Sequence, residues 1–108
     1  MKRYEGRRTW RAVTVTVNGR PLNSRLDLCN HSPTGFEWGY CGSGPAQLAL
    51  ALLADHCAND EKALVFYQRF KWAVVAELPR RRWTLTSEEI DQAIRSLRDQ
   101  ETVAGGVT

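Results

Sequence analysis

No apolar run in this 108-residue chain reaches the roughly 18 residues that a membrane-spanning helix requires, so a membrane protein of helical type is not expected. Met1-Lys-Arg-Tyr-Glu5 opens onto no apolar stretch, which argues against a secretory signal. Cysteine is scarce: three residues cannot all pair within one chain, and this points to a reducing compartment and a cytoplasmic location. Lysine is scarcer relative to its partner type, with three against twelve arginines. Guanidinium groups suit bidentate carboxylate and phosphate contacts better than ammonium groups do, although codon usage in a GC-rich genome and a solvated face explain the same bias. The net charge of +3 gives only weak general steering. Neither an internal repeat nor a linker is visible. The length fits one domain over residues 1–100, followed by a frayed tail over 101–108, where ETVAGGVT has no periodicity.

What the chain does have is a long organising stretch from Phe36 to Ala54. Phe36, Trp38 and Tyr40 alternate as in a half-buried strand, and the Leu and Ala that follow fit a helix buried nearly all round. Between them lie Gly39, Gly42 and Gly44, with Ser43 placed as an N-cap and Pro45 in the first turn. The helix expected over 45–57 then becomes the central packing element, interrupted by few polar residues, among them Gln47 and Asp55.

Around it the chain divides into a strand half and a helix half. Residues 3–8 read as a short edge strand. Val13, Val15 and Val17 alternate with Thr14 and Thr16, and Asn18-Gly19 is a type I′ hairpin signal. Pro21 restricts the return strand to its start or to a sheet edge, and Leu26 and Leu28 resume alternation up to Cys29. Residues 30–35 form a loop by composition. Asn59 or Asp60 caps a helix running to about Leu78, and Pro79 stops it. Thr86 and Glu89 form a capping box for a third helix, with Leu85 placed to staple onto Ile90. The expectation is an α+β fold: a small antiparallel sheet of three to four strands packed on three helices, the first central and buried.

The stretches NHSPTGFEWGYCGSGPAQLALALLADH and FYQRFKWAVVAELPRRRWTLTSEEI resemble a small bacterial and phage domain family classed as of unknown function. The resemblance spans Arg3 to Ile94. The family usually carries glycine at the position of Cys41, which weakens any mechanism needing a thiol there. The resemblance implies an association with bacteria and their mobile elements, and it carries over no catalytic residue, cofactor or metal.

Three local constellations invite chemistry, and each has a plainer explanation. Gly42, Ser43 and Gly44 at a helix N-terminus form the geometry of an anion-binding turn, yet match neither a P-loop nor a dinucleotide fingerprint, and a structural tight turn explains them. Cys41-Gly-Ser opening a helix is similar to the cysteine-protease signature, with His31 or His56 as base, but the nucleophile of that signature falls on Gly44. Cys29, His31, Cys41, His56 and Cys57 are zinc-ligand types without a usual spacing, and buried cysteines beside a helix-end histidine account for them. No catalytic residue, metal or cofactor is assigned.

The surface chemistry is more informative. Lys2, Arg3, Arg7, Arg8, Arg11, Arg20 and Arg25 form one basic focus, and Arg80, Arg81 and Arg82 a second, read here as an exposed connection beside Trp83. Arg and Trp are the types enriched at interface hot spots. The expectation is a non-enzymatic binding or modulator protein of bacteria or a mobile element, such as a host-defence inhibitor, with Arg80, Arg81, Arg82, Trp83, Arg11, Arg20, Arg25 and Trp10 as contact residues and a protein partner favoured. The alternatives are a nucleic-acid-binding accessory, with Trp10 or Trp38 as a stacking face, and, more remotely, a cysteine-dependent hydrolase.

Overall fold

The computed structural model describes the backbone of residues 1–107 and the side chains of residues 1–100. Strands β1 (Arg3–Arg8), β2 (Val13–Val17), β3 (Arg20–Pro21) and β4 (Arg82–Thr86) form one antiparallel sheet in the order β3-β2-β1-β4. Helices α1 (Ser43–Cys57), α2 (Asp60–Ala73) and α3 (Ser87–Val107) complete an α+β fold, with a 3-10 turn over Val75–Glu77 after α2. Tyr4, Val15, Trp83 and Leu85 point into the core, whereas Arg3, Glu5, Arg7, Thr14, Arg82 and Thr84 are exposed on the opposite face. The sheet therefore buries one face and leaves the other to solvent, the usual compromise of an antiparallel sheet.

Local signals explain many of the boundaries. Asn18 and Gly19 both take positive φ, 49° and 82°, as a type I′ turn requires. Asn59 caps α2 by accepting a hydrogen bond from the Lys62 N–H at 3.1 Å. The Thr86 N–H donates to Glu89 at 3.0 Å and the Glu89 N–H to Thr86 Oγ1 at 3.3 Å, closing the capping box. The last two elements run on from one another without a loop.

In α1, every residue from Gly44 to Ala54 is buried. Gln47 is fully buried and fully used: its Oε1 accepts from His31 N at 2.8 Å and Ser32 N at 3.1 Å, and its Nε2 donates to Ser24 O at 2.6 Å. One helix side chain thus satisfies three backbone groups of the long 22–42 segment. The Tyr4 hydroxyl donates to Asp55 at 2.7 Å, and Lys2 pairs with the same carboxylate at 3.1 Å, tying β1 to the end of α1. Burial, then the bond to Asp55, holds the Tyr4 phenol well above its ordinary pKa.

Several expectations need correction. Phe36, Trp38 and Tyr40 form no strand. Gly39 takes φ 86° and donates to Val75 O rather than to a strand, and β4 occupies the free side of β1. Trp38 is fully buried while Tyr40 is 44% exposed, so one-sided alternation does not hold. Residues 26–28 are a turn, not the continuation of β3. β1 lies inside the sheet, not at its edge. Ser43 is the first helical residue, and the cap position falls on Gly42, which offers no side chain. α2 ends at Ala73, because the chain tightens into the 3-10 turn before Pro79. Arg82 and Trp83 are strand residues rather than an exposed connection. The α3 backbone is helical to Val107, and the frayed tail expected over 101–108 falls on residues whose side chains lie outside the described residues.

Candidate functional site

The two basic foci, far apart in sequence, meet on the sheet. Antiparallel pairing of β1 with β4 sets Arg7 directly opposite Arg82, and the Arg8 N–H donates to Arg81 O at 2.8 Å. Because neighbouring strand residues point to opposite faces, Arg7 and Arg82 share the open face. With Glu5, Thr14, Thr16 and Thr84 they line a shallow polar hollow of about 300 Å³. Like charges directly opposite on a sheet repel. Among the described residues no ion pair compensates either arginine, nor Arg11 or Arg81.

The β1–β2 connection leaves the same end of the sheet. Thr9 holds it in shape: its N–H donates to Ala12 O at 2.9 Å, and its Oγ1 accepts from the N–H groups of Arg11 and Ala12 at 3.3 and 3.2 Å. That closed turn displays Trp10, 88% exposed, with the Arg11 guanidinium 4.7 Å above its ring centroid. The indole thus presents its apolar area to solvent, with Arg11 as its neighbour on the turn.

Arg8 shows what a structurally committed arginine looks like here. Its side chain turns inward, donates to Arg80 O at 3.1 Å and to both oxygens of Glu37, and lies 4.9 Å over the Trp38 ring. The guanidinium bond holds the Glu37 carboxyl below the usual carboxylate range, against the opposing effect of partial burial. Trp38 in turn donates its indole N–H to Arg80 O at 2.9 Å and meets Trp83 edge-on, with ring centroids 5.6 Å apart. Trp83 lies over Gly6: a Cβ there would sit 2.2 Å from the indole.

The remaining sequence-derived residues separate from this patch. Trp83 is core, 4% exposed. Arg25, with φ 53°, is clamped between Asp27 and Asp60 at 3.0 Å each and ties the 22–29 segment to the start of α2. Arg20 lies beside the Asn18-Gly19 turn, at the opposite end of β2 from Trp10. Arg80 contributes its carbonyl inward while its side-chain stem covers Gly39. At the glycine turn, the stem of Glu37 packs on Gly44, within 2.7 Å of where a Cβ would stand, so protein already covers that helix start.

The thiols and imidazoles likewise disperse. His31 Nε2 bonds the Tyr67 hydroxyl at 2.7 Å, and His56 Nε2 bonds Asp91 at 2.6 Å, so neither bond goes to Cys41. Burial pushes the Cys57 thiol up, the opposite of an activated nucleophile. Among the described residues no three His, Cys, Asp or Glu side chains converge on a metal position.

The hollow-lining side chains that sequence reasoning left out of the contact set are Glu5, Arg7, Thr14, Thr16 and Thr84. The alternation in Arg3–Arg8 separates Arg7 from Arg8, but nothing local says which face is covered or that Arg82 stands opposite. No curated protein and no solved structure matches the chain. A family model does, over residues 4–96, and by that match the chain belongs to a protein family described as a family of unknown function (DUF6166).

Proposed function

We propose that this chain is a non-enzymatic binding module that receives an acidic surface of a protein partner on the open sheet face and the Trp10 turn. The observation carrying this reading is that Arg7 and Arg82 stand opposite one another on the open face, neither in an ion pair although Glu5 lines the same hollow, at the end of the sheet where the Thr9–Ala12 turn displays Trp10 and Arg11. Guanidinium forks supply directional carboxylate contacts, and the indole supplies apolar area. The resemblance to bacterial and phage domains supports a modulator role in bacteria or on their mobile elements, host-defence inhibition being one form of it.

The test is affinity capture from a bacterial lysate with the wild type and with Arg7→Ala/Arg82→Ala and Trp10→Ala variants of equal thermal stability. A protein retained by the wild type and lost from both variants is the expected result. Equal retention by all three would sink the reading.

The Thr14, Thr16 and Thr84 hydroxyls beside two guanidiniums favour a second reading, in which a nucleic-acid backbone occupies the same face. Anisotropy of a labelled oligothymidylate, followed as salt is raised, separates the two. A steep loss of binding with salt supports phosphate contacts, and absence of binding at low salt rejects them.

A further inference from the structure

A second surface, unrelated to the basic patch, lies on α2. Ala63, Phe66, Tyr67 and Phe70 bury one side of this helix. Its other side exposes Leu64 at 41%, Val65 at 60% and Trp72 at 64%. Glu61 and Gln68, also exposed, complete a line at positions 61, 64, 65, 68 and 72, the spacing of one continuous helical stripe. The outer face of a helix in a solitary domain is normally polar. This stripe is flanked by cations that lie along the helix: Lys71 sits 5.3 Å over the Trp72 ring, and Arg69 lies 5.0 Å over the Phe66 ring and donates to Val65 O.

We infer that the stripe is the seat of a second copy of this chain, the two α2 helices lying antiparallel about a two-fold axis between Val65 and Gln68. A two-fold interface must be self-complementary, with each residue meeting its counterpart's opposite number. The stripe meets that condition in shape and in charge. It has one large ring at its C-terminal end and two branched aliphatic residues toward its N-terminal end. Side chains on a helix lean toward its N-terminus, so in the antiparallel pair each Trp72 leans back over the other copy's Leu64 and Val65. The first turn of α2 is acidic and its last turn basic. Antiparallel pairing sets Glu61 of each copy level with Lys71 of the other, and it opposes the helix dipoles favourably. Parallel pairing would stack Glu61 on Glu61 and Lys71 on Lys71.

Sedimentation equilibrium over a wide range of concentration tests this. The expected result is a reversible dimer, with the tryptophan emission of the chain shifting to the blue as dimer forms and Trp72 is covered. Leu64→Glu, at a partly exposed position near the two-fold axis, raises the dissociation constant roughly tenfold or more, as loss of a central hot-spot contact does. Glu61→Lys and Lys71→Glu each weaken the dimer, and the double exchange Glu61→Lys/Lys71→Glu restores it, which only the antiparallel register predicts. A chain that stays monomeric at every concentration, leaving the stripe to a different protein, overturns the inference. So does a dimer indifferent to Leu64→Glu, or one that the double exchange does not restore.

Discussion

Arg7 and Arg8 follow one another on β1 and face opposite sides of it. Arg8 is stacked on Trp38, hydrogen-bonded to Glu37 and to the Arg80 carbonyl, and more than half enclosed. Arg7 stands in solvent opposite Arg82. The same contrast separates Trp83, packed on Gly6 and Trp38, from Trp10, held outward on its turn. Residue type therefore says little about role in this chain. Place in the fold, whether a face of the sheet or a turn at its end, decides whether an arginine or a tryptophan serves folding or remains available to a partner.

The comparison breaks first, and hardest, on the inner face. Gly6→Val forces the Trp83 indole out of its place, because a side chain at position 6 meets that ring at 2.2 Å. A loss of about 3 kcal/mol in urea unfolding is expected, at the upper end of overpacking penalties. A loss within about 0.5 kcal/mol, the range of ordinary surface changes, would show that the indole has another place to go. Next comes Gln47→Leu, close in volume but unable to satisfy His31 N, Ser32 N or Ser24 O. Stranding such groups costs on the order of 2 kcal/mol, and the 22–42 segment should lose amide-exchange protection before the helices do.

The paired arginines give the smallest and sharpest test. Arg8→Ala should destabilise by about 1 kcal/mol, discounted because the Glu37 pair is partly solvated. Arg7→Ala should leave stability unchanged. Glu37 has a folded pKa held below its ordinary value by Arg8. Its contribution is fully present above the unfolded carboxyl pKa of about 4.3 and disappears as pH falls through the lowered folded value. Arg8→Ala should therefore flatten the acid limb of the stability profile, and Arg7→Ala should leave that limb as it is. Acid unfolding of both variants followed by circular dichroism checks the sign.

Local chemistry carried much of the fold into the sequence. Asn18-Gly19, the Thr86–Glu89 box, the Asn59 cap and the unbroken apolar run of α1 are all short-range signals, and the structure uses each of them. What stayed hidden depends on distant partners. Arg80-Arg81-Arg82 looks like a solvated connector, although Trp83 and Leu85 alternate inward as strand residues do, because only β1 supplies the ladder for β4. Phe36, Trp38 and Tyr40 have the period of a strand but no neighbour to pair with. For the proposed site, the composition marked Trp10, Arg11, Arg81 and Arg82, whereas the register Arg7 opposite Arg82 is a property of the sheet alone.

The position of β1 also governs how the chain can be made. Of the sheet's four strands it is the earliest in sequence, and one of its two edges is closed by β2 across the short 9–12 connection. The other edge waits for β4, and it is clamped only when the Lys2 N–H reaches the Ser87 hydroxyl at 2.8 Å and the Ser87 N–H reaches Lys2 O at 3.0 Å. Until β4 is made that edge has no strand of its own sheet to pair with, and an unpaired edge is the arrangement most prone to pairing with a foreign strand. Arg3, Glu5, Arg7 and Arg8 crowd that edge with charge. That density of charge guards β1 until its last neighbour arrives.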